Sequence, residues 1–219
     1  MVLTLPKAII FDWDSTLAQT RATVVEALEK TLRHYQKEPW QNLKHLRQPL
    51  LSLKDNFPLI FGDISAEAYQ YYLSVYKENT TTPTPFAREF LNLCLKKDIT
   101  LYIVSNKERS LLLKEVELCY KNIPFVAILA HGDAEGNKPD AAPVFTALKN
   151  VPYAINPQNV WLVGDSLPDT ECAYNANIQP IIVGHNIQDN SYLEQKRTAT
   201  PPLIEVENFT ELKKLINGL

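Results

Sequence analysis

Five short apolar runs recur along the chain, at 8–11, 99–104, 125–129, 160–163 and 178–183. Each is too short for a helix core and is bounded by polar or turn-forming residues, so each reads as a buried strand. Between the later runs lie segments of helical period, for example 107–120, 141–150 and 169–175. Strand and helix in alternation predict a parallel sheet covered by helices on both faces, since a crossover must return the chain to the same edge.

One stretch breaks this rhythm. From about Thr20 to Asn79 there are helical patterns and no strand candidate. Between Arg21 and Lys37, the residues Val24, Val25, Leu28, Leu32 and Tyr35 fall on one helical face. Ser65 is placed to cap a helix running to about Lys77, on which Tyr69, Tyr72 and Tyr76 form an aromatic stripe suited to core packing. The run TTTPTP at 80–85 then marks a hinge. The expected division is a catalytic core from 1–19 and 80–219, with 20–79 as a helical insert.

Composition narrows the function classes. The 219 residues carry a net charge of −3, so no global positive field draws the chain to nucleic acid or anionic lipid. The three cysteines, Cys94, Cys119 and Cys172, are widely spaced and read as free thiols in a reducing compartment. The opening segment, MVLTLPKAIIFDWD, does not read as a signal peptide, and no run approaches the ~20 apolar residues of a membrane span. A cytoplasmic protein with no membrane partner is expected.

Four polar signals stand where strands end or in the loop after one: Asp12-Trp13-Asp14-Ser15-Thr16, Ser105-Asn106, Lys138-Pro139 and Gly164-Asp165-Ser166-Leu167-Pro168-Asp169. Each alone reads as a turn, a cap or a solvated loop. Open parallel sheets bind ligands beyond the carboxyl ends of their strands, so the four together predict one site. Asp12, Asp14, Asp165 and Asp169 would converge there, and unpaired carboxylates at close range resist desolvation. A divalent cation among them relieves the repulsion. Mg²⁺ suits an all-oxygen site, and no His or Cys cluster points to zinc. Lys138 supplies a cation on the other side. Asp12 ends its strand and is the nucleophile candidate; Asp14, two residues on, is the acid/base candidate, its pKa expected to be raised by acidic neighbours. The Ser105 hydroxyl is placed to bind phosphate oxygens.

This set resembles the haloacid dehalogenase-like hydrolase superfamily. FDWDST is similar to its DxDx[TV] motif, YIVSN to its Ser/Thr motif, NKP to its lysine motif and GDSLPD to its GDxxxD motif. VSNK and GDAEGNKPDAAPV resemble the phosphoglycolate phosphatase-like branch. The resemblance implies an α/β fold: a Rossmann-like parallel sheet flanked by helices, with an inserted all-helical cap. It implies a Mg²⁺-dependent phosphatase acting on a small phosphorylated metabolite through an aspartyl-phosphate. The nucleophile falls on Asp12 and the acid/base on Asp14. The metal set falls on Asp12, the Asp14 carbonyl, Asp165 and Asp169. Phosphate binding falls on Ser105 and Lys138, with Thr16 and Asn106 nearby. Many members carry glycine at the position of Ser15; if the backbone there needs an open conformation, Ser15 adds slight strain.

Rival readings remain open at this point. A dehalogenase needs no carboxylic acid at Asp14, and a phospho-accepting receiver domain needs no helical insert. A sugar-phosphate mutase would keep both aspartates, and a regulatory protein could keep the fold without catalysis. Discrimination among substrates should come from the insert. Within 44–54, where Pro49 interrupts the helix, Arg47 is the expected contact for a second substrate anion and Lys54 the next.

Overall fold

The computed structural model describes residues 3–77, 80–184 and 186–219. Strand β1 (Ala8–Phe11) leads through a two-residue strand, β2 (Ala18–Gln19), into helices α1 (Arg21–His34), α2 (Trp40–Leu43), α3 (Leu53–Phe61) and α4 (Ser65–Val75). Strand β3 (Thr82–Pro83) pairs antiparallel with β2. There follow α5 (Ala87–Lys96), β4 (Thr100–Val104), α6 (Arg109–Tyr120), β5 (Phe125–Leu129) and α7 (Ala142–Ala147). The chain closes with β6 (Val160–Gly164), α8 (Leu167–Asn175), β7 (Gln179–Val183), α9 (Asn190–Arg197), β8 (Ile204–Val206) and α10 (Phe209–Asn217).

The sheet has six strands in the order β5-β4-β1-β6-β7-β8, every pair parallel. Alternate residues of β1 serve opposite layers. Ile9 and Phe11 join a cluster with Phe90, Leu112 and Phe209, from α5, α6 and α10. Ala8 and Ile10 join another with Val144 of α7 and Cys172 of α8. Because both faces are covered, the strand reads as a continuous apolar run rather than an alternating one. In β1's register with both neighbours, Phe11 lies opposite Ile103 and Val163. The chain leaves β1 for β4 on one side and later crosses to β6 on the other. The crevice beyond β1 is therefore the topological switch point of the sheet.

The helical insert packs around a cluster of its own, built on Leu28, Leu32, Phe57, Phe61, Tyr69, Tyr72 and Tyr76, with Leu111 of α6 completing it. The tyrosine stripe is core packing, as its spacing suggests. The face of α1 is rotated from the predicted one. Thr23, Ala27, Leu28, Thr31 and Leu32 are buried. Val24 and Val25 are only partly buried because they line a cavity. Helix α4 begins at Ser65, but Ile64 stands at the cap position and no side chain caps it; the helix stops at Val75, short of Lys77. The hinge at 80–85 holds β3, a strand too short to show a period in sequence. Strand β8 and helices α5, α9 and α10 were likewise not foreseen.

One buried amide fixes the loop before α3. Asn56 is fully buried; its Nδ2 donates to the carbonyls of Gln48 (3.2 Å), Leu51 (3.1 Å) and Ser52 (2.8 Å), and its Oδ1 accepts from the Gln48 N–H at 2.8 Å. Asn56→Ala removes all four bonds and leaves backbone groups unpaired. It should cost about 2–3 kcal/mol of stability in denaturant unfolding. A loss under about 0.5 kcal/mol would mean that the loop is held by something else.

Candidate active site

Three strand ends build the floor of the site. Asp12 follows β1, with its N–H bonded to the Val163 carbonyl at 2.9 Å; Ser105 follows β4 and Asp165 follows β6. Strand β6 ends on Gly164, where a Cβ would stand 2.3 Å from the Asp169 Cγ. Glycine is needed there for the first turn of α8 to close over the strand end. Ser15 adopts φ 61°, in the left-handed region where a side chain adds slight strain.

Asp12, Asp165 and Asp169 have carboxylate oxygens within 4.8 Å of one another. Lys138 is buried among them, ion-paired with Asp12 and with Asp169, the latter at 2.6 Å. Asn106 holds this lysine in place through a reciprocal pair. Its Nδ2 donates to the Lys138 carbonyl at 2.6 Å, and its Oδ1 accepts from the Lys138 N–H at 3.0 Å. The amide expected near phosphate is thus engaged in orienting the lysine loop. Three carboxylates against one ammonium leave two negative charges uncompensated, which matches the charge of one divalent cation. Burial pushes the Asp12 carboxyl up to about 7, against the pull of Lys138 and with the push of Asp169. Burial, with Asp169 and Asp12, raises Asp165 as well. Carboxyls placed this way fit a site that binds a hard cation.

The sign of the resulting pH dependence follows. Without a cation, folded Asp12 keeps a proton that the unfolded chain, at its ordinary 3.8, has given up. Stability from this group is whole below about pH 4 and is lost as pH rises through about 7. In EDTA, thermal melts should show stability falling across that window, on the order of a few kcal/mol, with excess Mg²⁺ flattening the fall. A flat profile in EDTA would show that Asp12 ionises there without cation help.

The structure refines two expectations and corrects two. First, Asp14 shares the crevice with Asp12 and Asp165 as expected, but its carboxylate is not one of the three that cluster, those of Asp12, Asp165 and Asp169. The Asp14 carboxylate is turned to Lys107, with Oδ1 at 2.8 Å from Nζ. To the acidic neighbours expected for Asp14 the fold adds a buried ammonium. Second, Asp169 stands in the carboxylate cluster as expected, and its oxygens are also bonded within the protein. Its Oδ2 accepts from the Asp165 N–H (3.2 Å), the Ser166 N–H (3.1 Å) and the Ser166 hydroxyl, closing a capping box on α8, while Oδ1 accepts from Lys138. Third, Thr16 is fully buried and does not line the cavity over the site. Fourth, Lys54 also lies off the cavity lining. It pairs with Glu108 at 3.6 Å and stands over the Tyr69 ring, joining α3 to the loop after β4.

Above the strand ends lies a cavity of about 550 Å³, walled by the insert on one side and the sheet loops on the other. Asp12, Asp14, Ser105, Lys138 and Asp165 line its floor, and Arg47, Arg21 and Lys44 line its insert side. Arg47 stands at the solvent-facing rim, yet the surrounding walls hold its guanidinium below the usual arginine range, with Asp165 acting the other way. Arg21, Lys44 and Lys107 were not foreseen as site residues. Lys107 directly follows the Ser-Asn signal, so its position was legible; its partners were not.

This geometry defines a hydrolase of the haloacid dehalogenase-like family, to which the chain belongs: the model of that family matches residues 9–183. Within it the chain is an enzyme of the phosphatase type. It is 26% identical to pyrophosphatase PpaX of Oceanobacillus iheyensis, covering 86% of this chain and 88% of that one. It is also 26% identical to phosphoglycolate phosphatase of Chromobacterium violaceum, over 85% and 89% of the two chains. Among solved structures, a predicted phosphoglycolate phosphatase from Haemophilus somnus superposes with a TM-score of 0.79 at 18% identity, over 98% and 99% of the chains, which speaks for the fold alone. No helix among the described residues is long and apolar enough to cross a membrane.

Proposed function

We propose that the protein is a Mg²⁺-dependent phosphatase that hydrolyses a small phosphorylated metabolite through an aspartyl-phosphate on Asp12. The observation that carries this reading is the buried Asp12 carboxylate at the switch point, held by Lys138 beside Asp165. The segment 20–79 acts as the cap, and 1–19 with 80–219 as the catalytic core. Asp12 and Asp165 would hold the metal with the Asp14 carbonyl, and Asp169 stands behind them as the anchor of Lys138. The bound ion supplies charge neutralisation between the carboxylates and the phosphoryl oxygens.

In the first half-reaction an Asp12 oxygen bonds to phosphorus as the bond to the leaving oxygen breaks, and Asp14 gives that oxygen its proton. In the second, Asp14 takes a proton from water, the water oxygen bonds to phosphorus, and the Asp12–phosphorus bond breaks to release phosphate. Ser105 and Lys138 bind the phosphoryl oxygens throughout, and their placement before substrate arrives lowers the cost of reorganisation.

The cavity suits a small substrate, and the cations on its insert side favour one with a second anion. A phosphoglycolate-like monoester meets that condition. Pyrophosphate does too, and the same cations together with the pyrophosphatase relatives support it as the second reading. A panel of phosphoglycolate, pyrophosphate, sugar phosphates and p-nitrophenyl phosphate, with Mg²⁺ and in excess EDTA, tests both. Turnover should vanish in EDTA and return with Mg²⁺; full turnover in EDTA would refute the metal site. An isomerised sugar phosphate among the products would favour a mutase. Arg47→Ala should lower kcat/KM about tenfold or more on the doubly anionic substrate and leave p-nitrophenyl phosphate near wild type. An equal loss on both would remove Arg47 from recognition.

A further inference from the structure

Glu115 is an acid within the apolar stripe of α6, completely buried between Leu112 and Cys119. A lone buried carboxylate is costly, so its partners matter. Its Oε2 accepts from the Trp13 indole N–H at 2.6 Å and is 3.2 Å from the Lys107 ammonium. Its Oε1 accepts from the Tyr76 hydroxyl at 2.7 Å and the Thr81 hydroxyl at 2.9 Å. The Lys107 Nζ in turn reaches Glu115, the Tyr76 oxygen at 2.8 Å and Asp14 Oδ1 at 2.8 Å. An ammonium has three protons, and these three acceptors match them in number.

The partners come from distinct places. Trp13 separates the two aspartates of the first motif. Tyr76 and Thr81 flank the return passage from the insert to the sheet, and Tyr76 follows the last turn of α4. Glu115 and Lys107 belong to the core. This single buried network therefore joins the acid/base carboxylate to the passage by which the insert is attached.

We infer that Lys107, fixed by Glu115 and Tyr76, is a positioning residue for Asp14, and that Tyr76 makes this positioning depend on the seating of the insert. The inference rests on the acid/base reading of Asp14. An ammonium at 2.8 Å complements the carboxylate form, the form that takes a proton from water in the second half-reaction. Loss of the network should therefore slow hydrolysis of the phosphoenzyme more than its formation.

The test is pre-steady-state kinetics of the full chain with p-nitrophenyl phosphate and Mg²⁺. Tyr76→Phe removes one hydroxyl and keeps the ring, and Lys107→Met removes the ammonium. Both should retain a first turnover within about threefold of wild type. Both should then drop to a steady state at least about tenfold slower, with phosphate trapped on Asp12 in acid-quenched protein. Lys107→Met leaves Glu115 without its cation; if it does not fold, Tyr76→Phe decides alone. Asp14→Asn is the reference and should show the same burst more strongly. Adding Tyr76→Phe to Asp14→Asn should bring no further loss, which a purely structural role would not produce. Equal slowing of both phases in Tyr76→Phe, or of neither, while Asp14→Asn keeps its burst, would overturn the inference alone. No burst in Asp14→Asn would overturn the acid/base reading and the inference with it.

Discussion

Asp12→Asn should remove nearly all turnover, by at least about a thousandfold in kcat, as the loss of a nucleophile does in other covalent enzymes. An amide nitrogen or oxygen is a poor nucleophile toward phosphorus, and among the described residues the neighbouring carboxylates are placed differently. Asp165 follows β6 rather than β1, and Asp169, on α8, has both oxygens bonded. The fold should survive, because an amide is nearly isosteric and relieves repulsion within the acidic cluster. Substrate binding should remain measurable by calorimetry. Mass spectrometry of quenched wild-type protein should place the phosphoryl group on Asp12, and a label on Ser105 would overturn the assignment. Retention of more than about a tenth of wild-type turnover in Asp12→Asn would do the same.

Lys138→Ala should harm both catalysis and stability. Its ammonium is the buried cation in contact with Asp12 and Asp169, and burial cannot discharge it, because the two carboxylates hold its pKa above the usual lysine value. Removing one partner of a buried ion pair costs about 3–5 kcal/mol, since the remaining charges stay desolvated. Loss of a preorganised donor to the phosphoryl oxygens should lower kcat on the order of a hundredfold or more. The two effects separate experimentally. Mg²⁺ should recover much of the stability by neutralising the carboxylates, while kcat at saturating Mg²⁺ should stay depressed. If kcat/KM is unchanged, Lys138 is a structural counter-ion only.

Parts of this molecule were legible in the chain alone because they depend on local rules. A strand buried on both faces must be apolar throughout, so 8–11 and 160–163 announced themselves. A parallel sheet gathers its functional residues at one end, so four polar signals at or just after strand ends pointed to one crevice. Ser15 adopts a left-handed backbone where the motif calls for glycine. The tyrosines of α4 packed as their spacing suggested.

What the chain could not disclose is pairing between residues distant in sequence. Asp14 and Lys107 are 93 positions apart, and Trp13 and Glu115 are 102 apart. Nothing in the local pattern says which carboxylate a given ammonium will meet. The sequence alone therefore grouped four aspartates on one crevice, and the fold gave one of them, Asp14, a lysine partner of its own. Likewise the resemblance put Asn106 near the phosphate, and it does line the cavity, but only the chain crossing that brings Lys138 alongside shows its amide bonded to the lysine backbone. Arg47 and, after it, Lys54 were both expected to meet a second substrate anion. The loop folded by Asn56 leaves Arg47 at the cavity rim, while α3 carries Lys54 to Glu108. Composition and period determined the layers and the chemistry available. Long-range contacts, which are set only when helices and strands dock, decided which charges face one another.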